Sequence, residues 1–221
     1  MTIGLSQQIQ LFDEILKPYF KNGFKRRGKR GIYKIENGLV YVISFQFGRN
    51  NNVYLQYFVN SISNVFSEIF HTLEFGKRLQ GNEYGNSVWC IEQDRQFDTV
   101  VSNIKQSIKE LVHPFFLKIN SIERLYFHYL VQFQYTLLPF SAALLSAQIN
   151  EKIESINYCE RSIADIETDE EFDIRNVQKD KEIYSYLLSL KQAIKAGTVS
   201  ELILSWEEKN MKKYKIVEVV A

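Results

Sequence analysis

A chain of 221 residues that is 45% hydrophobic, 14% aromatic and 24% charged has the chemistry of one folded domain, or one domain with an appendage. It is not a disordered tail, a collagen or a low-complexity linker. Its 27 lysines and arginines against 26 carboxylates leave a net charge of +1, so no bulk field draws nucleic acid or anionic lipid to it.

The opening residues, MTIGLSQQIQLFDEIL, lack the basic start and unbroken apolar run of a signal peptide. A helix is expected here, with Ser6 as N-cap and Ile9, Phe12, Leu16, Tyr19 and Phe20 along one face. Pro18 should kink or tighten its last turn, and Asn22-Gly23 should end it. A basic run follows: Lys25, Arg26, Arg27, Lys29 and Arg30, interrupted by Gly28 and Gly31. The hydrophobic period then changes to two. Ile32–Glu36 reads as a strand, and Asn37-Gly38 is the preferred dipeptide of a tight hairpin. In the next strand Leu39, Tyr41, Ile43, Phe45 and Phe47 form the core set, while the alternate set starts apolar at Val40 and Val42 and ends polar at Ser44 and Gln46. Val53–Asn60 makes a third strand. These three form an antiparallel meander whose apolar face the first helix should cover.

Residues 61–85 are ambiguous between a short helix at Val65–Leu73 and a strand ending in a loop. A fourth strand is expected at Ser87–Ile91 around Trp89. Asp98 can cap a long helix with the stripe Val101, Ile104, Ile108, Leu111 and Phe115, kinked or ended by Pro114. Beyond Ser121 the pattern is helical. Ile122–Tyr135 is an aromatic-rich helix, and a long one from Leu137 to about Asp165 carries Leu144, Leu145, Ile149, Ile153 and Ile156. After an acidic connector at Glu167–Asp173, Ile183, Leu187, Leu190 and Ile194 mark another helix, closed by Ala196-Gly197. Thr198 with Glu201 is a capping box for the last, which holds Leu202, Trp206 and Tyr214. The most apolar stretch, Tyr135–Ala147, is about half the length that spans a bilayer and contains Pro139. The expected fold class is α+β: an antiparallel meander covered by helices over residues 1–120, then an all-helical part over 121–221 that docks on it through its apolar stripes.

The segments ILKPYFKNGFKRRG, IYKIENGLVYVISFQFGRN and VYLQYFVN resemble the bacterial family catalogued as domain of unknown function 4304. Leu16, Lys17, Pro18, Gly23, Phe24, Lys25, Arg26, Gly28, Tyr33, Ile43, Phe45, Gln46, Phe58, Val59 and Asn60 carry the likeness, and Trp89 is similar to a tryptophan in a later strand of that family. The resemblance covers roughly residues 8–120. It implies an α+β domain of bacterial origin and brings no assigned activity.

Chemistry-bearing motifs are sparse. There is no Gly-rich phosphate loop, no HExxH, no GxSxG and no CxxC. His71, His113 and His128 lie far apart without a carboxylate at ligand spacing, so no metal and no cofactor is expected. Cys90 and Cys159 are too few for a disulfide framework, although a single bridge stays open, and neither has a neighbouring base. They suit a reducing compartment, and the expected location is cytoplasmic. The candidate binding residues are Lys25, Arg26, Arg27, Arg30, Gln46, Arg78 and Trp89. The cations beside Phe45, Phe47, Tyr54 and Tyr57 could hold phosphate or single-stranded nucleic acid, but the near-zero net charge and the core-facing alternation of the rings favour a solvated turn. Arg78 with Glu83, Glu92 and Asp94 could form a polar cleft. The expected function is a non-catalytic protein-binding module, immunity-like or regulatory. Nucleic-acid or nucleotide binding through Lys25–Arg30 is the alternative, and an enzyme without a linear motif the third reading.

Overall fold

Asn37 and Gly38 both take left-handed backbone, with φ of 53° and 73°, the geometry of the two-residue turn that matches strand twist. They join β2 (Gly31–Glu36) to β3 (Leu39–Phe47), with Glu36 facing Leu39 and Ile32 facing Ile43. The computed structural model describes residues 3–65, 76–79, 89–91, 96–132, 139–168 and 177–216, and shows an α+β protein with an antiparallel sheet and a helical C-terminal part. The meander continues from β3 into β4 (Asn52–Ser61), where the Gly48 amide donates to the Asn52 carbonyl at 2.9 Å. β5 (Gly76–Leu79) and β6 (Trp89–Cys90) both pair with β4. At the far edge β1 (Lys25–Arg27) pairs with β2. Much of the basic run is therefore a strand and not only a turn. β5 likewise resolves part of the ambiguous 61–85 region as strand, and the apolar residues Phe66–Leu73 lie outside the described residues.

Packing divides the chain into two units, residues 1–60 with 70–120 and residues 61–69 with 121–221. In the first unit, Ile32, Ile43, Phe45, Val53, Leu55, Tyr57, Leu79 and Trp89 share a core with residues of two helices. One is α1 (Leu5–Leu11), continued by a π-turn at Phe12–Leu16 and a 3₁₀ turn at Lys17–Asn22. The other is α2 (Phe97–Ser107), continued by a π-turn at Ile108–Val112 and by α3 (His113–Lys118). On the other face Val40 and Val42 are buried, Ser44 half-buried and Gln46 exposed, in the graded order read from the sequence.

The two π-turns have one cause. Pro18 and Pro114 carry no N–H, so neither can donate to the carbonyl four residues back. The residue before each proline donates five back instead, Lys17 to Phe12 and His113 to Ile108. Each π-turn rotates the helix face. Leu11, Phe12, Ile15 and Leu16 are buried, whereas Ile9 and Phe20, expected in the core, are 49% and 38% exposed. After Ile108 the core position moves from Leu111 to Val112. The start of α1 also differs from expectation, since Gly4 is its N-cap and Ser6 lies within the helix. Gln96, not Asp98, caps α2.

The second unit holds α4 (Ile122–Gln132), α5 (Pro139–Gln148), α6 (Lys152–Thr168), α7 (Val177–Ala196) and α8 (Val199–Lys213). The single helix expected over 137–165 is two. Asn150 takes φ 67° and the Glu151 amide donates to the Ser146 carbonyl at 2.8 Å, a left-handed helix stop open to asparagine as well as glycine. Ile153, expected in the core, is 73% exposed as a result. Ile183, Leu187, Leu190, Ile194 and Trp206 are buried together. Thr198 is the N-cap of α8 but makes no side-chain cap hydrogen bond. Buried Asn210 of α8 donates to the carbonyls of Ile62 and Asn64 at 2.7 and 2.9 Å. Among the described residues no helix is long and apolar enough to cross a membrane.

Candidate functional site

Strand alternation sorts the basic run onto two faces. Arg26 pairs with Ile32 on the helix-covered face, where its guanidinium lies 4.5 Å from the Phe12 ring centroid. Arg30 lies over Phe47 at 5.1 Å. Lys25 and Arg27 pair with Tyr33 and Gly31 on the opposite face, and Lys29 is exposed in the turn. The five cations therefore do not converge. Cation–π contact commits two of them to the protein's own rings.

The opposite face brings together candidates that are far apart in sequence. Arg78 of β5 pairs with Gln56 of β4. The Gln56 amide oxygen is placed to accept from Arg78 Nε at 3.2 Å and Nη2 at 3.1 Å, and the same amide lies 2.9 Å from that of Gln46. The guanidinium sits 5.9 Å from the Tyr54 ring centroid. That ring lies across Gly48, where any Cβ would come within 2.7 Å of Tyr54 Cε2. Trp89 is placed elsewhere: it pairs with Val53, is 3% exposed and belongs to the core. Glu83, Glu92 and Asp94, named with Arg78 for a polar cleft, lie outside the described residues, as does His71.

Sequence reasoning missed a cleft of about 310 Å³ in the first unit, lined by Tyr19, Asn22, Phe24, Ile43, His113, Phe116 and Leu117. The two π-turns build it. Each is followed by a proline and a pair of rings, in Ile15-Leu16-Lys17-Pro18-Tyr19-Phe20 and again in Leu111-Val112-His113-Pro114-Phe115-Phe116. That repeated phrase is the signal that could have found the cleft. Tyr19 meets Phe24 and His113 edge-on, with centroids 5.8 and 5.5 Å apart, and Phe116 stacks on Phe24 at 6.5 Å. Leu117, on the rim, is 72% exposed. Burial lowers the His113 pKa and raises that of Tyr19, so at neutral pH the cleft is lined by uncharged groups. It offers shape, ring faces and a few hydrogen-bonding atoms. No carboxylate, thiol or aliphatic hydroxyl is among its lining residues to complete an acid–base pair or an activated nucleophile.

Elsewhere, burial pushes the Cys159 thiol up to about 12, which keeps it protonated and unreactive. The Cys90 thiol donates to the Asn50 carbonyl at 3.0 Å. Among the described residues no group of three His, Cys, Asp or Glu could hold a metal ion. Compared with protein-family models, with curated proteins and with solved structures, the chain matches none.

Proposed function

We propose that the protein is a non-catalytic binding module that takes an apolar side chain of another protein into the cleft of its first unit. One observation carries the reading: an uncharged, ring-walled cleft of about 310 Å³ opens beside a leucine that is 72% exposed. A concave apolar site with few polar groups is where ligands bind, and well-packed anchors surrounded by a water-excluding rim dominate protein interfaces. A large aliphatic side chain standing in water beside such a cleft costs solvation that a partner would recover. The resemblance noted above adds a bacterial setting, in which an immunity-like or regulatory binder is the role proposed.

Affinity capture from the host, with quantitative identification, tests this. Wild-type protein, Leu117→Asp and Lys212→Asp, an exposed residue that is not part of the cleft lining, are compared as baits. The reading predicts a protein captured by wild type and Lys212→Asp and depleted at least tenfold with Leu117→Asp. A capture profile that Leu117→Asp leaves unchanged would refute it.

A further inference from the structure

The uncharged cleft of the first unit has a rim of one charge. One wall carries Tyr19, Asn22 and Phe24, the other His113, Phe116 and Leu117, and buried Ile43 of β3 lies at the base. Both walls come from stretches without a carboxylate: there is none between Glu14 and Glu36, and none between Glu110 and Glu123. Lys21 adjoins Asn22 in the chain, Lys118 adjoins Leu117, and both lysines are exposed. Neither has an ion-pair or hydrogen-bond partner among the described residues. The first-unit carboxylates that bound these stretches are engaged already. Glu14 lies 3.9 Å from Lys105, Glu36 holds Lys34 at 2.9 Å, and Glu110 accepts from Gln106. The rim is therefore cationic although the whole chain is nearly neutral.

We propose that the partner segment entering this cleft is acidic: a large apolar side chain fills the ring-walled recess, and flanking aspartates or glutamates meet Lys21 and Lys118. This deepens the binding reading above and rests on it. Charge complementarity names the occupant. An apolar anchor gains affinity from neutral walls whatever the charge of its segment. Cations at the rim add the choice, steering acidic segments in and opposing basic ones. The volume of about 310 Å³ lies at the lower end of ligand-pocket sizes, which suits one anchor. An anionic bilayer would satisfy the two lysines, but its plane of headgroups has no side chain to fill a recess. A nucleic-acid strand needs open ring faces for its bases, whereas Phe24 and Phe116 stack on each other with centroids 6.5 Å apart.

The test is a phage library of random short peptides selected on the immobilised full-length protein, with Leu117→Asp as the counter-selection bait. The best selected peptide is labelled and titrated by fluorescence anisotropy against wild type, Lys21→Glu, Lys118→Glu and the double variant. Lys212→Glu, at an exposed lysine of α8 outside the cleft lining, is the control. Selected peptides should carry more Asp and Glu than Lys and Arg around a large apolar residue. Each reversal at the rim should weaken binding about tenfold, and Lys212→Glu should leave it unchanged. Affinity for wild type should fall as salt is added. Replacing the peptide's carboxylates with lysines should abolish binding to wild type and restore it to the double variant, a rescue that a folding defect cannot produce. Leu117-dependent peptides that are neutral or basic, or that ignore both rim reversals, overturn the acidic partner and leave the cleft as a binding site. Absence of any Leu117-dependent peptide overturns the cleft reading and this inference together. Phosphatidylserine vesicles and a single-stranded oligonucleotide are added as competitors, and displacement of the peptide by either, lost in Leu117→Asp, overturns the inference in favour of that occupant.

Discussion

His113 shows how one side chain reports on the cleft. Burial lowers its pKa in the folded protein below the ordinary histidine value of 6.5. Between these values the unfolded chain holds more protons than the folded one, so stability rises with pH across that window and is lost as pH falls through it. Wild-type protein should therefore lose more melting temperature between pH 7.5 and 5 than His113→Gln does. A parallel pH dependence in the two proteins would mean that the imidazole is not buried. Gly76 makes a second prediction at the same scale. A Cβ there would stand 2.1 Å from the Tyr57 carbonyl oxygen and 2.3 Å from Phe58 Cβ, so Gly76→Ala cannot fit without separating β5 from β4. The expected cost is about 1–3 kcal/mol, read as a fall in denaturation midpoint with unchanged slope.

At the scale of elements, the prolines organise the first unit. Pro114→Ala restores the N–H that the α-helical ladder needs, which removes the reason for the π-turn at Ile108–Val112. Folding should survive, since proline inside a helix is unfavourable and alanine is not. The cleft should not survive unaltered, because the ring pair after the proline turns with the helix. NMR titration of the His113 imidazole measures this, and its midpoint should move up toward 6.5 in Pro114→Ala. These turns also explain which parts of the fold were legible. The meander was, because alternation at Leu39–Phe47 and the Asn37-Gly38 turn state strand, register and buried face in local terms. The stripe of α2 was legible up to Ile108. It failed where a missing N–H shifted the helix by a residue, which strict helical spacing cannot represent. β1 was hidden because Lys25–Arg27 has no apolar pattern and is a strand only through its pairing with β2. Arg78 was picked out by type, but its neighbours Gln56 and Tyr54 come from a strand pairing that no local spacing announces.

Over the whole chain, the segment that leaves β4 belongs with the helical C-terminal residues. Ser61 Oγ lies 2.8 Å from Ser63 Oγ and donates to Gln148 Oε1 at 3.1 Å, while Asn210 bridges Ile62 and Asn64 across 148 and 146 residues of chain. Asn210→Ala would strip both carbonyls of their side-chain donor in a buried setting. It should cost about 2 kcal/mol, measured by chemical denaturation. A chain ending at Asn120 loses these partners too, so it should melt at a lower temperature and less cooperatively than the full protein.

The central claim is that the cleft beside Leu117 receives a protein partner. Site-specific photo-crosslinking in the host tests it most directly, with the reactive residue placed at position 117 or, as the comparison, at position 212. A single heavier adduct from position 117, absent from position 212, is the predicted result. The same adducts from both positions, or none from position 117 in folded protein, would contradict it.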